Sequence, residues 1–164
     1  TGHIHKKTIA QEFQREEAAV CIIDKQPNPY FVGDLTKEQV LCRFAEKVAA
    51  ITKKDYLIHN ALPLVKCIDE CSYEDFNYAL RVGVTAPFYL TKLFLPYFSP
   101  NAAIVNISSS RDRMSQPQTE SYTAAKSGIS ALTYGLAVSL IWFSFSVQTK
   151  PVLLPGRTSA LTAE

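Results

Sequence analysis

Apolar positions along this chain fall into short unbroken runs, separated by stretches with helical rhythm. AAVCIID (18–24), DYLIHNA (55–61) and AAIVNISSS (102–110) are runs of the first kind. Continuous apolar runs of this length read as strands buried on both faces. A brief run at YFV (30–32) precedes a Gly-Asp turn, and VQTKPVLLPG (147–156) reads as a further strand ending in a Pro-Gly turn. Between these runs the period changes to about 3.6. KTIAQEFQR (7–15) has apolar residues at 9, 10 and 13, which predicts a short amphipathic helix. Thr36 is the expected N-cap of a helix carrying Leu41, Phe44, Ala45 and Val48. Ser72 with Asp75 predicts a capping box, and Phe88–Phe98 an apolar helix ended near Pro96 and Pro100. The stretch SYTAAKSGISALTYGLAVSL (121–140) predicts one more helix. Strands that alternate with helices imply right-handed crossovers and an α/β fold: a doubly wound parallel sheet with helices on both faces.

Open parallel sheets hold ligands outside the carboxyl ends of their strands. Asp24, Asp34, Asn60 and Ser109 stand there, each a polar residue directly after an apolar run. The helix that follows the 102–110 strand adds Tyr122 and Lys126, four apart and therefore on one face. An ammonium beside a phenol favours the phenolate, and a phenol brought toward neutrality serves as a general acid or base. Ser109 precedes Tyr122 by thirteen residues, and the connection SRDRMSQPQTE is long enough to fold the two together. The hydroxyl could then donate to a substrate carbonyl while Tyr122 transfers the proton. Tyr and Lys at this spacing are usually exposed surface residues, so the pair gains meaning only through its company.

Composition narrows the alternatives. The 164 residues suit a single domain, and 47% hydrophobic with 20% charged residues is ordinary for a water-soluble fold. Seventeen basic against fifteen acidic residues leave +2, so no bulk field argues for nucleic acid or an anionic membrane. Cys21, Cys42, Cys67 and Cys71 are read as reduced, buried thiols, and no zinc-finger spacing accompanies Cys67 and Cys71. No secretory signal is evident, and Leu136 to Val147 is too short to span a bilayer, so a cytoplasmic location is expected.

With these residues in place, the chain resembles the short-chain dehydrogenase/reductase family from end to end. Tyr122-x-x-x-Lys126 is similar to the family's YxxxK signature, and Ser109 stands at the spacing of its catalytic serine. Asn60 and Ala61 match the middle of an NNAG-like segment, Asp34 and Leu35 an adenine-contacting pair, and Pro155-Gly156 with Thr158 a turn beside the nicotinamide. The resemblance implies a Rossmann-type fold, a nicotinamide cofactor, and hydride transfer between it and a small alcohol or carbonyl compound. Tyr122 would be the proton donor or acceptor, Lys126 would lower its pKa and hold the ribose, and Ser109 would orient the substrate oxygen. Asp24 would accept the ribose hydroxyls and repel a 2′-phosphate, which favours NAD over NADP. A homodimer or homotetramer is implied by the same likeness.

The chain also departs from that pattern. It opens TGHIHKK, with Gly2 and Ile4 as the only matches to a glycine-rich TGxxxGxG turn, and six glycines are few for its length. Leu62 replaces the last residue of NNAG, and Gly83 in RVGVTAPF takes the place of the asparagine that completes the family's catalytic set. Residues 1–164 are thus read as one dinucleotide-binding, catalytic domain lacking the first strand and the C-terminal substrate-loop region. The alternative is a catalytically silent relative acting as a nucleotide-binding or protein-interaction module. His3, His5 and His59 lack a carboxylate at ligand spacing, and Ser109 lies outside any G-x-S-x-G elbow, so neither a metal site nor a hydrolase is expected. Arg111 and Arg113 could hold an anionic substrate but read first as solvent-facing charges.

Overall fold

The alternation of runs becomes five strands and five α-helices in the computed structural model of the protein, which describes residues 2–51, 53–140 and 146–152. At the centre lies β4 (Phe98–Ser109), the longest strand. It pairs in parallel with β3 (Lys54–His59) on one side and β5 (Ser146–Val152) on the other, with Ile104 opposite both Leu57 and Val147. The apolar residues of β4 read as continuous because this strand has neighbours on both edges and cover on both faces.

The first strands differ from expectation. Only Ile23–Asp24 of the 18–24 run is paired (β1), and its partner is β2 (Phe31–Val32). These two form a separate two-stranded parallel sheet rather than part of one continuous sheet. Asn28 builds the short connection, accepting Tyr30 and Phe31 N–H groups at 2.9 and 2.8 Å and donating to the Phe31 carbonyl at 2.8 Å.

Helix α1 (Gly2–Arg15) begins earlier than the periodicity indicated. Helix α2 (Glu38–Ala49) begins later, with Lys37 rather than Thr36 at its N-cap and no side-chain cap bond. The cause is local: Thr36 donates both its N–H and its hydroxyl to Asp34 Oδ1 at 2.9 Å, which holds it in the preceding turn. Helix α3 (Tyr73–Leu80) carries the capping box that Ser72 and Asp75 encode, with both halves formed. It runs through a π-helical turn (Arg81–Thr85) into α4 (Ala86–Phe94), which closes in a 3₁₀ turn around Pro96. Last comes α5 (Glu120–Leu140), crossing behind β4.

One core joins α2, α4 and β4. Leu41, Phe44 and Val48 meet Leu90, Phe94 and Ile104, all buried, and the Phe44 and Phe94 rings stand edge to face at 6.1 Å. Each such side chain contributes about 1.5–3 kcal/mol by leaving water. The carboxyl end of β4 is tied to α5 by hydrogen bonds beyond this core, and the candidate chemistry sits there.

Candidate active site

Alternate residues of β4 face α5, and beyond Ile104 they turn polar. Asn106 and Ser108 are fully buried, and each finds its partner on the helix. The Asn106 amide donates to Thr133 Oγ1 at 2.8 Å, while Ser108 Oγ lies 2.8 Å from Ser130 Oγ and donates to the Lys126 carbonyl at 3.1 Å. In return Lys126 Nζ donates to the Ile107 carbonyl at 2.6 Å. Lys126 is only 5% exposed, so its ammonium is held at a chosen spot rather than floating in solvent.

That spot is beside Tyr122. The Lys126 ammonium lies 5.8 Å from the centroid of the Tyr122 ring, and the Arg111 guanidinium lies over the same ring at 5.6 Å. Ser109, buried at the end of β4, accepts the Arg111 N–H at 3.3 Å. Because its oxygen accepts there, its own hydrogen is left to donate elsewhere. Sequence spacing placed Ser109, Tyr122 and Lys126 in one region, and Arg111 links Ser109 to Tyr122.

A clamp that the sequence reading missed braces this corner. The Asp112 carboxylate accepts from Ser130 at 2.7 Å and lies 3.2 Å from Ser108 Oγ, an alternative acceptor for that hydroxyl's one hydrogen, and Ser127 donates to the Asp112 backbone carbonyl at 3.3 Å. The signal was present: Ser130 falls one turn after Lys126 on the same helical face. At the helix start, Ser121 is fully buried and its hydroxyl donates to the Leu64 carbonyl at 2.8 Å while accepting the Lys66 N–H at 2.9 Å.

Beside this corner opens a cavity of about 870 Å³, bounded by β1 on one side and β3 on the other. Asp24, Leu35, Asn60, Ala61, Gly83 and Lys126 line it, so two of the strand-end candidates, Asp24 and Asn60, share one space with the lysine, while Asp34 and Ser109 do not line it. The Asn60 amide nitrogen is buried with no hydrogen-bond partner. An orphaned buried donor in a cleft of this size suits a ligand rich in acceptors, and a nicotinamide dinucleotide fits that description. His59 also lines the cleft; burial holds its imidazole far below the ordinary value, at about 4.

Other candidates are placed differently. Burial alone would raise the Asp34 carboxyl, but the Thr36 N–H and hydroxyl, with Lys25 and Lys37 nearby, outweigh it and hold Asp34 low. That carboxylate is engaged with Thr36 and does not line the cavity. Gly2 and Ile4 lie within α1, so the expected glycine turn is helix here. Pro155, Gly156 and Thr158 lie outside the described residues. Gly83 sits mid-turn in the π-helical segment, where an added Cβ would stand 2.7 Å from Ala125 Cβ and 2.9 Å from Pro63 Cγ. The four cysteines are free and half-buried rather than fully buried. Among the described residues no helix is long and apolar enough to cross a membrane, and no His/Cys/Asp/Glu cluster could hold a metal ion.

Comparison with known proteins converges on one group. A family model described as enoyl-(acyl carrier protein) reductase matches residues 7–143. An uncharacterized oxidoreductase of Thermotoga maritima is 38% identical over 89 residues, covering 52% of this chain and 35% of that protein. General stress protein 39 of Bacillus subtilis is 30% identical over 77% of this chain and 43% of its own length. The chain thus spans less than half the length of these two relatives. Among solved structures, an apo SCOR enzyme from Clostridium thermocellum superposes with a TM-score of 0.79 at 34% identity, over 87% of this chain and 65% of that one. A 4-hydroxyisoleucine dehydrogenase complexed with NADH and succinate gives the same TM-score at 21% identity, over 87% of this chain and 71% of that one, a likeness of fold.

Proposed function

Since the chain belongs to the short-chain dehydrogenase/reductase family, we propose that the protein is a nicotinamide-dependent oxidoreductase interconverting a small alcohol and its carbonyl compound. The observation that carries this reading is the corner where β4 meets α5, with buried Lys126 and half-buried Tyr122 beside a serine whose hydroxyl hydrogen is left to donate. In this reading the Ser109 hydroxyl donates to the substrate oxygen and fixes its position. Tyr122 gives a proton to that oxygen in reduction and takes it back in oxidation. Lys126, pinned by the Ile107 carbonyl, keeps a positive charge close to the phenol as its proton moves.

A bound nicotinamide cofactor would supply or accept the hydride. Asp24, Leu35, Asn60, Ala61 and Lys126 would hold it in the cleft, and the Asn60 amide would find there the acceptor it lacks. A solved relative complexed with NADH supports the cofactor class. Asp24, at the end of β1, would repel a 2′-phosphate, so we assign a preference for NAD over NADP. Titration of the protein with both reduced cofactors checks this, and equal affinities would remove it.

The deciding experiment is steady-state kinetics on small ketones and secondary alcohols, with cofactor binding measured in parallel. Tyr122→Phe should abolish turnover and leave cofactor affinity nearly unchanged, because only the hydroxyl is lost. Lys126→Ala should damage both. A Tyr122→Phe protein that keeps most of its activity ends the enzymatic reading.

A further inference from the structure

Among the described residues, no carboxylate pairs with Arg111, which stands beside the reacting corner; ion pairs engage Arg15, Lys66 and Arg81 instead. The adjacent carboxylate, Asp112, is already held by the hydroxyl of Ser130. What orients the guanidinium is a neutral acceptor, Gln116 Oε1 at 2.6 Å, together with the Tyr122 ring it covers. Arg111 is half-buried, whereas Arg113 is exposed, so the two charges of this loop have different settings. A guanidinium presents its N–H donors in one plane, in a fork that matches a carboxylate. Only one of those donor groups is occupied by Gln116.

We propose that Arg111 is a substrate-recognition residue and that the substrates are small hydroxy acids and the corresponding oxo acids, whose carboxylate it holds. The proposal rests on the oxidoreductase reading and names the substrate class for that site. The Arg111 backbone N–H meets Ser109 Oγ, and its guanidinium lies over the Tyr122 ring, 5.6 Å from the centroid. The carboxylate therefore sits close to the reacting carbon, which favours short acids. In oxidation the carbinol C–H bond leaves with its electron pair as hydride to the oxidised nicotinamide. The O–H proton passes to the Tyr122 oxygen, and the C–O bond becomes a carbonyl. The carboxylate is unchanged, and reduction is the reverse.

The test compares 2-oxobutyrate and acetoacetate with butanone, in which a methyl group replaces the carboxylate of 2-oxobutyrate, using the intact protein. Isothermal titration with malonate reads the same subsite without turnover. For Arg111→Gln, the preference for the oxo acids over butanone, expressed as a ratio of kcat/KM, should fall about tenfold to a hundredfold and mainly through KM. Malonate affinity should fall with it, and Arg111→Lys should keep part of both. Equal losses on butanone and on the oxo acids would make Arg111 an adjunct of Tyr122 and overturn the substrate class while the oxidoreductase reading stands. Malonate binding that ignores Arg111→Gln would overturn it too. Failure of the oxidoreductase reading shows instead in Tyr122→Phe, and the malonate titration is independent of that result.

Discussion

The two parallel sheets, β3-β4-β5 and β1-β2, are built on different principles. On the β4 side, a twelve-residue strand has a partner on each edge, and buried hydrogen bonds run from it to α5. On the β1 side, two strands of two residues each meet over two paired positions and are tied to the core by aromatic edges, Phe31 to Phe44 at 5.5 Å and Tyr30 to Phe44 at 6.3 Å. The proton-transfer candidates belong to the first side, and the ribose-binding candidate Asp24 to the second. Proton transfer tolerates little misplacement, so its groups gain from an over-determined scaffold. A nucleotide contact can be completed by the ligand itself, so a lightly braced strand is enough.

The largest effect should come from cutting into the braced side. Ile104 is fully buried at the centre of β4, and Ile104→Ala removes packing on every side; the expected loss is about 2–5 kcal/mol in urea unfolding. Val32 on β2 is 57% exposed, and Val32→Ala should stay within about 0.5 kcal/mol. Similar losses from the two substitutions would break the comparison, because they would mean that β2 carries as much packing as β4.

Gly83 gives the next effect, on the wall between cleft and helix. Restoring the family asparagine looks like a repair on paper. In the structure, the new Cβ would sit 2.7 Å from Ala125 Cβ and 2.9 Å from Pro63 Cγ, and Ala125 immediately precedes Lys126. Gly83→Asn should therefore destabilise by about 1–3 kcal/mol through overpacking rather than restore a relay. Thermal denaturation of the variant reads this directly, and an unchanged or higher Tm would show that the π-helical turn can yield.

These cases also mark what was legible in the sequence. The apolar run around Ile104, the Ser72–Asp75 box and the Tyr122–Lys126 spacing are local signals, and the structure carries each as an element or a shared face. The extent of β1 was not legible, because a strand exists only where another offers a ladder, and the 18–24 run holds no record of its neighbour. Thr36 misled for a similar reason: Asp34, two residues back, competes for it with hydrogen bonds that a capping rule does not weigh. Arg111 and Arg113 look alike in SSSRDRM, and only the approach of α5 separates a guanidinium on a tyrosine ring from one in solvent. Glycine at 83 read as a missing asparagine, whereas its neighbours show a position where a side chain has no room.

The smallest effect tests where the boundary between the two sides runs, and His59 marks it. The residue ends β3, lines the cleft, and yet is only 8% exposed, with Nε2 placed 3.3 Å from the buried Thr91 hydroxyl. Burial disfavours the imidazolium and holds the group at about 4 in the folded protein. An unfolded chain returns it to about 6.5, so unfolding takes up a proton wherever the pH lies between those values. Stability contributed by the neutral ring is therefore complete above the unfolded value and declines as the pH falls through the window from 6.5 toward 4. Going from about pH 7.5 to about pH 5.5 should cost the wild-type protein roughly 1 kcal/mol through this residue alone. His59→Gln can still meet Thr91 but has no proton to take up, so its stability should fall by that much less over the same interval. Other titrating groups act alike in both proteins, and the difference between the two urea-unfolding series isolates the ring. Equal losses would mean that His59 titrates in the folded state as it does in water. The cleft would then be wet up to the Thr91 hydroxyl, and the end of β3 would belong to the lightly braced side rather than to the packed one.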